Sequence, residues 1–248
     1  MFPRPQHLVA MLLAALVAAR APAAEVRPVA CVPVESEGSP RAAAPPGPLD
    51  TALAEACAAA LDRVRADPAL ARHLRRAYAG FLAGREAVLA RPEARLPVYL
   101  RTGRQWFDAL DGPRAGWAGA WISGAGDIVV APRPDGSFTV RARADDPVGG
   151  SYTCGFVGVG RLAGEVMEVA WDTAEDEDED DGADGWTLVL RRDGGLLTLA
   201  QRRNASPAPT APFCGVHGSL EETYLPARVV PDPVTAWEPA SGAGPGRR

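Results

Sequence analysis

Lysine is absent from this chain: all 26 cationic residues are arginine, while isoleucine occurs twice and asparagine once. Alanine, proline and glycine abound instead, a composition set by GC-rich codons. An arginine at any one place therefore cannot be read as chosen over lysine for bidentate phosphate contacts. Surplus positive charge is missing too. The formal net charge is −5, and sequence-independent binding to nucleic acid needs a dense cationic face, so no nucleic acid is expected as a partner. Histidine is scarce, with only His73 and His217 beyond the first stretch of the chain. Long apolar runs are lacking. The one at residues 8–19 is about half of the roughly 20 residues a membrane-crossing helix needs, and none later is longer, so no integral membrane segment is expected after processing.

That short run has a function of its own. Arg4 and His7 precede it and Ala21-Pro22-Ala23 follows as a small-x-small site, so residues 1–23 read as a secretory signal peptide. The expected location is periplasmic or secreted. Lipid anchoring at Cys31 is the alternative. It would need a cysteine directly after the apolar run, whereas Cys31 lies downstream behind Pro28-Val29-Ala30.

Four cysteines, Cys31, Cys57, Cys154 and Cys214, lie beyond the leader. An even count in an exported chain points to two disulfides, and four cysteines allow three pairings. Cys31 with Cys57 and Cys154 with Cys214 is favoured, because each bridge then stays within one expected module.

Residues 24–48 are rich in Pro, Ala, Ser and Gly without apolar period, as in a linker. A helical module is expected over 49–112. Leu53, Cys57, Leu61 and Val64 recur at helical spacing behind an expected Asp50-Thr51 cap. Asp67-Pro68 opens a second helix as cap and first-turn proline, with Leu70, Leu74, Tyr78 and Phe81 inward and Arg72, Arg75, Arg76 and Glu86 outward. Gly84 weakens that helix. A third is expected from Pro97, with Tyr99, Trp106 and Leu110 on one side and Arg101, Arg104 and Asp108 on the other, until Asp111-Gly112-Pro113 breaks the pattern.

From there the period becomes two. Candidate strands cover 117–122, 128–131, 138–144, 153–159, 165–171, 186–191, 196–201 and 220–225, with Asp135-Gly136 and Asp193-Gly194-Gly195 supplying tight turns. Eight consecutive strands suit a closed meander whose interior is filled by side chains. The fold expected is thus α+β: a short N-terminal helical bundle, then an antiparallel eight-stranded meander barrel over 113–225. A single sheet packed on the helices is the competing architecture. Residues 175–181 are an unbroken acidic run expected to be a solvated insertion, with calcium binding or an electrostatic partner role as alternatives. Residues 226–248 read as a disordered tail.

Catalytic and metal signals are thin. A nucleophilic triad needs a histidine with a carboxylate and a reactive Ser or Cys, yet His73 sits in an arginine-rich stretch that reads as a solvated face. No G-x-S-x-G elbow occurs, and bridged cysteines leave no thiol nucleophile. Cys214-Gly215-Val216-His217 has metal-ligand spacing but no second pair, so no metal and no cofactor is expected. Glu221 and Glu222 fall on opposite faces of an expected strand and cannot form an adjacent acid/base pair. No enzyme is expected.

The stretch Val64-Arg65-Ala66-Asp67-Pro68-Ala69-Leu70, followed by Tyr78 and Gln105-Trp106, resembles the helical domain of LprI-type periplasmic lysozyme inhibitors over some 60 residues. That family carries a cysteine just before its Asp-Pro and another after its Trp, where this chain has Arg65 and no cysteine. The resemblance implies export and inhibition of a peptidoglycan-cleaving enzyme such as a lysozyme. The second half is similar to lipocalin-like and lysozyme-inhibitor barrels of the envelope, in Trp117, Trp121 and the stretch from Cys214-Gly215 to Tyr224.

Two functions follow as expectations. One is an exported binding or inhibitor module acting on a protein partner such as a lysozyme, with Arg104 and Trp106 as contact candidates because Arg and Trp are enriched at interface hot spots. The other is a lipocalin-like binder of a small apolar ligand, with Trp117, Trp121, Phe138, Phe156 and Trp186 lining the cavity.

Overall fold

The structure is a computed structural model that describes residue 31 and residues 47–90, 96–171, 186–203 and 211–230. The expected leader, most of the linker, the acidic run at 175–181 and nearly all of the tail lie outside the described residues.

Three helices, α1 (Pro48–Arg63), α2 (Pro68–Leu89) and α3 (Leu96–Ala109), precede eight strands. The strands are β1 (Gly119–Ile122), β2 (Gly126–Pro132), β3 (Phe138–Asp145), β4 (Thr153–Ala163), β5 (Val166–Trp171), β6 (Trp186–Asp193), β7 (Leu196–Arg203) and β8 (Thr223–Ala227). Each pairs antiparallel with the next, and β8 pairs back onto β1 through Trp121 opposite Pro226, closing the barrel. The single-sheet alternative is thereby excluded.

Helix starts follow from local chemistry. Asp67 caps α2, its Oδ1 accepting the N–H groups of Ala69 and Leu70, and Pro68 takes the first-turn position. The start of α1 differs from expectation. Gly47 is its N-cap, and Asp50, one turn in, reaches back to accept the Gly47 N–H at 2.9 Å. An Asp50-Thr51 cap fails because Pro48 at the first turn already has the φ that a helix requires.

Period two divides the strands cleanly. Val140, Ala142 and Ala144 of β3 join Trp121, Ile128, Phe156, Met167, Val169, Leu188, Leu190, Leu199 and Tyr224 in the barrel core, while Arg141 and Arg143 face out. Strand β8 breaks the rule, being buried on both faces from Tyr224 to Ala227. Its outer residues Leu225 and Ala227, with Ile122 of β1, belong to the same core as Leu53, Leu74, Tyr78 and Phe107 of the helices. The bundle therefore packs on the outer wall of the β8–β1 seam. Because β8 runs to Ala227 and Arg228 N–H bonds to the Ala109 carbonyl, the barrel extends past the expected boundary at 225. At the seam's lower end Arg114 donates to the carbonyls of Ala120 and Ala227, at 2.7 and 2.8 Å. Gly119 is required there by its φ of +123°, and a Cβ would also displace that guanidinium, 2.2 Å away.

Both disulfides pair as favoured, Cys31 with Cys57 and Cys154 with Cys214, and no described cysteine is free. No helix among the described residues is long and apolar enough to cross a membrane.

Candidate functional site

Packing a bundle of helices on the side of a barrel leaves a cleft where the helices overhang the barrel's upper rim. Two lobes meet there at Gly124, Ala125 and Pro147. The larger, about 470 Å³, lies between α2 and the rim loops; the smaller, about 320 Å³, lies under α3. Volumes of this order fall within the range of small-molecule sites.

Helix α2 supplies His73, Arg76, Ala77, Gly80 and Phe81 to the larger lobe, residues three or four apart that share one face. Opposite stand the β1–β2 turn, Val148 and Tyr152 from the β3–β4 connection, and Glu222 just ahead of β8. Gly80 has open space where a Cβ would stand, so this stretch of helix lies back from the barrel.

The ionisable groups feel the partial loss of water. Burial pushes the Glu222 carboxyl above its ordinary value, moderated by a hydrogen bond with the Ser123 hydroxyl. Glu222 is nonetheless an exposed residue by surface area, so it keeps one side in water while the rest lies in the cleft. Burial also lowers His73, helped by the neighbouring Arg76 charge and opposed by a hydrogen bond to the Thr223 backbone. His73 is thus half-buried against β8, not on the solvated face that its arginine-rich neighbourhood implied. Tyr152 is raised by burial and by the carboxylates of Asp146, Glu222 and Asp145. Arg76 thus places a guanidinium on the helical wall of the lobe, and Glu222 a carboxyl on the barrel wall.

Among the residues expected to meet a partner, Arg104 is exposed and pairs with Asp108 at 3.4 Å. Trp106 is only 5 % exposed and packs edge-on against Phe107 at 4.8 Å. Its indole N–H is buried with no acceptor among the described residues, and the residue forms part of the wall of the smaller lobe.

The five aromatics expected to line a lumen are distributed between the core and the two ends of the barrel. Trp121 and Phe156 are buried inside. Trp117 lies under the Arg192 guanidinium at 5.9 Å and accepts the Trp121 indole N–H on its carbonyl, at the lower end. Phe138 is half-buried at the start of β3. Trp186 meets Phe213, whose ring also packs edge-on against Phe156 and Trp171 at 5.1 and 5.4 Å. Phe213, held beside the Cys154–Cys214 bridge, thus stoppers the upper end.

Comparisons with family models, curated proteins and solved structures find no match for the chain. The site must be read from its own chemistry. Among the described residues no group of three His, Cys, Asp or Glu side chains is placed to hold a metal ion. Sequence reasoning missed Glu222 and Arg76 as facing walls of one cleft. Glu221 and Glu222 lie ahead of β8 and not in the strand expected over 220–225, because pairing with β1 and β7 begins only at Thr223, and no pattern in the chain shows that a helix some 150 residues earlier lies across from Glu222.

Proposed function

We propose that the chain is an exported envelope protein that acts by binding, as an inhibitor or recognition module, and that the helix–barrel cleft is its recognition site. The observation that carries this is the cleft itself: a recess of about 470 Å³ with a mixed apolar and charged lining, assembled from both modules. Two disulfides suit an oxidising compartment. The helical resemblance to LprI-type inhibitors makes a peptidoglycan-cleaving enzyme the partner class to test first. A ligand held in the barrel lumen is the weaker reading, since Phe213 closes one end and the interior positions carry large buried side chains.

Gly80→Trp is the probe, because a side chain there enters open space in the cleft and not the core. Lysozyme digestion of cell walls is followed with the oxidised protein, with Gly80→Trp, and with neither. Protection by the parent protein and its loss in Gly80→Trp is the expected result. No retention of lysozyme on the immobilised protein, together with no protection, removes lysozyme as the partner. Protection undiminished by Gly80→Trp moves recognition away from the cleft.

A further inference from the structure

The opposed charges of the cleft specify its ligand more narrowly than a groove alone would, an argument that rests on the cleft being the recognition site. Arg76, on the helical wall, is exposed and makes no ion pair among the described residues. Glu222, on the barrel wall, has a hydroxyl partner in Ser123 but likewise no cation. The two line the same recess with no ion pair between them among the described residues; beside Arg76 the helical wall is uncharged at Ala77, Gly80 and Phe81, and beside Glu222 the barrel side carries Val148 and Tyr152. A purely anionic ligand would leave Glu222 desolvated beside it with no cation, and a purely cationic one would crowd Arg76. Both walls are matched only by a molecule carrying one charge of each sign, separated by a short uncharged span.

We infer that the cleft binds a short peptide with free termini, its carboxylate at Arg76 and its ammonium at Glu222.

The test titrates the oxidised protein with trialanine, N-acetyl-trialanine and trialanine amide, by calorimetry and by backbone amide shifts. Trialanine is expected to bind, and each cap to weaken binding by about tenfold, the loss of one charge-assisted contact. Arg76→Gln should abolish sensitivity to the amide cap alone, and Glu222→Gln sensitivity to the acetyl cap alone. Equal affinity for capped and free peptides, or no binding of trialanine at millimolar concentration, overturns the inference. Gly80→Trp separates that failure from failure of the cleft. If it blocks capped and free peptides that bind equally, only the zwitterion inference falls. If it leaves peptide binding intact, the cleft falls too.

Discussion

Arg85 Nε lies 2.6 Å from Asp50 Oδ1, tying the C-terminal end of α2 to the first turn of α1. The guanidinium is 3 % exposed and the carboxylate 12 %, and the other face of the guanidinium meets Glu86 at 2.7 Å. Asp50 spends its second oxygen on the Gly47 N–H, so one carboxylate fixes both the start of α1 and its contact with α2. Asp50→Ala leaves a buried cation short of its closest partner, a change that costs about 3–5 kcal/mol. Urea unfolding should show that loss, whereas Asp62→Ala, removing an exposed pair with Arg65, should cost less than about 1 kcal/mol. Equal losses in the two variants would show that the buried pair has no special weight.

Gly84 is a second point at which two helices depend on one position. A Cβ there would lie 2.0 Å from the Tyr99 hydroxyl oxygen, which donates to the Phe81 carbonyl at 3.1 Å. Helix propensity alone predicts that Gly84→Ala stabilises by about 1 kcal/mol. The close approach of α3 reverses the sign, and a net loss of about 1–3 kcal/mol is expected from overpacking. Adding Tyr99→Phe should restore part of it by removing the hydroxyl. A Gly84→Ala protein more stable than its parent would refute the contact.

These two positions mark what a linear reading can reach. Apolar period located all three helices and all eight strands, because burial on one face leaves a repeat of 3.6 or 2 in the chain. Closure was legible from strand number and tight turns, and the disulfide pairing from the module boundary. Arg85 was not, since nothing local distinguishes it from the arginines around it; only Asp50 across the bundle makes it a buried residue. The same holds for the cleft. His73 and Glu222 are ordinary polar residues in sequence, and their environment comes from docking α2 on the β8–β1 seam, where Leu225 and Ala227 are covered from outside. In the chain itself only the unalternating apolar stretch Tyr224-Leu225-Pro226-Ala227 corresponds to that docking, and it becomes meaningful once β8 is seen to be buried on both faces.

Removing the Cys154–Cys214 bridge tests the barrel's upper closure. It spans 60 residues against 26 for Cys31–Cys57, and chain entropy gives about 4 and about 3.5 kcal/mol respectively. The stabilities should therefore differ little, but the local consequences should not. Phe213 adjoins Cys214 and is packed by Trp171 and Trp186, so a Cys154→Ser, Cys214→Ser protein should change its tryptophan fluorescence and near-ultraviolet dichroism. Cys31→Ser, Cys57→Ser should leave those signals close to the parent's. Identical spectra in both variants would separate Phe213 from the bridge.

Glu222 gives a prediction whose sign depends on pH. Its carboxyl is held above the ordinary value of 4.5 by loss of water, so at a pH between the unfolded and folded values the native state holds the proton more tightly than the unfolded chain does. By linkage its contribution is most favourable below about pH 4.5, declines as pH rises through the folded value, and stays unfavourable above it. Glu222→Gln removes the titration while keeping an acceptor for Ser123. The variant should therefore melt higher than the parent at pH 7.5, with the gap shrinking as the solution is taken below pH 4.5. His73 acts in the opposite sense: burial lowers its value, so its contribution is present above pH 6.5 and lost as pH falls through the folded value. A His73→Gln background should accordingly leave the Glu222→Gln gap at pH 7.5 unchanged, because the imidazole is neutral there in both states. Calorimetric melting at the two pH values checks both statements, and a parent protein as stable as Glu222→Gln at pH 7.5 would place the carboxylate in ordinary water.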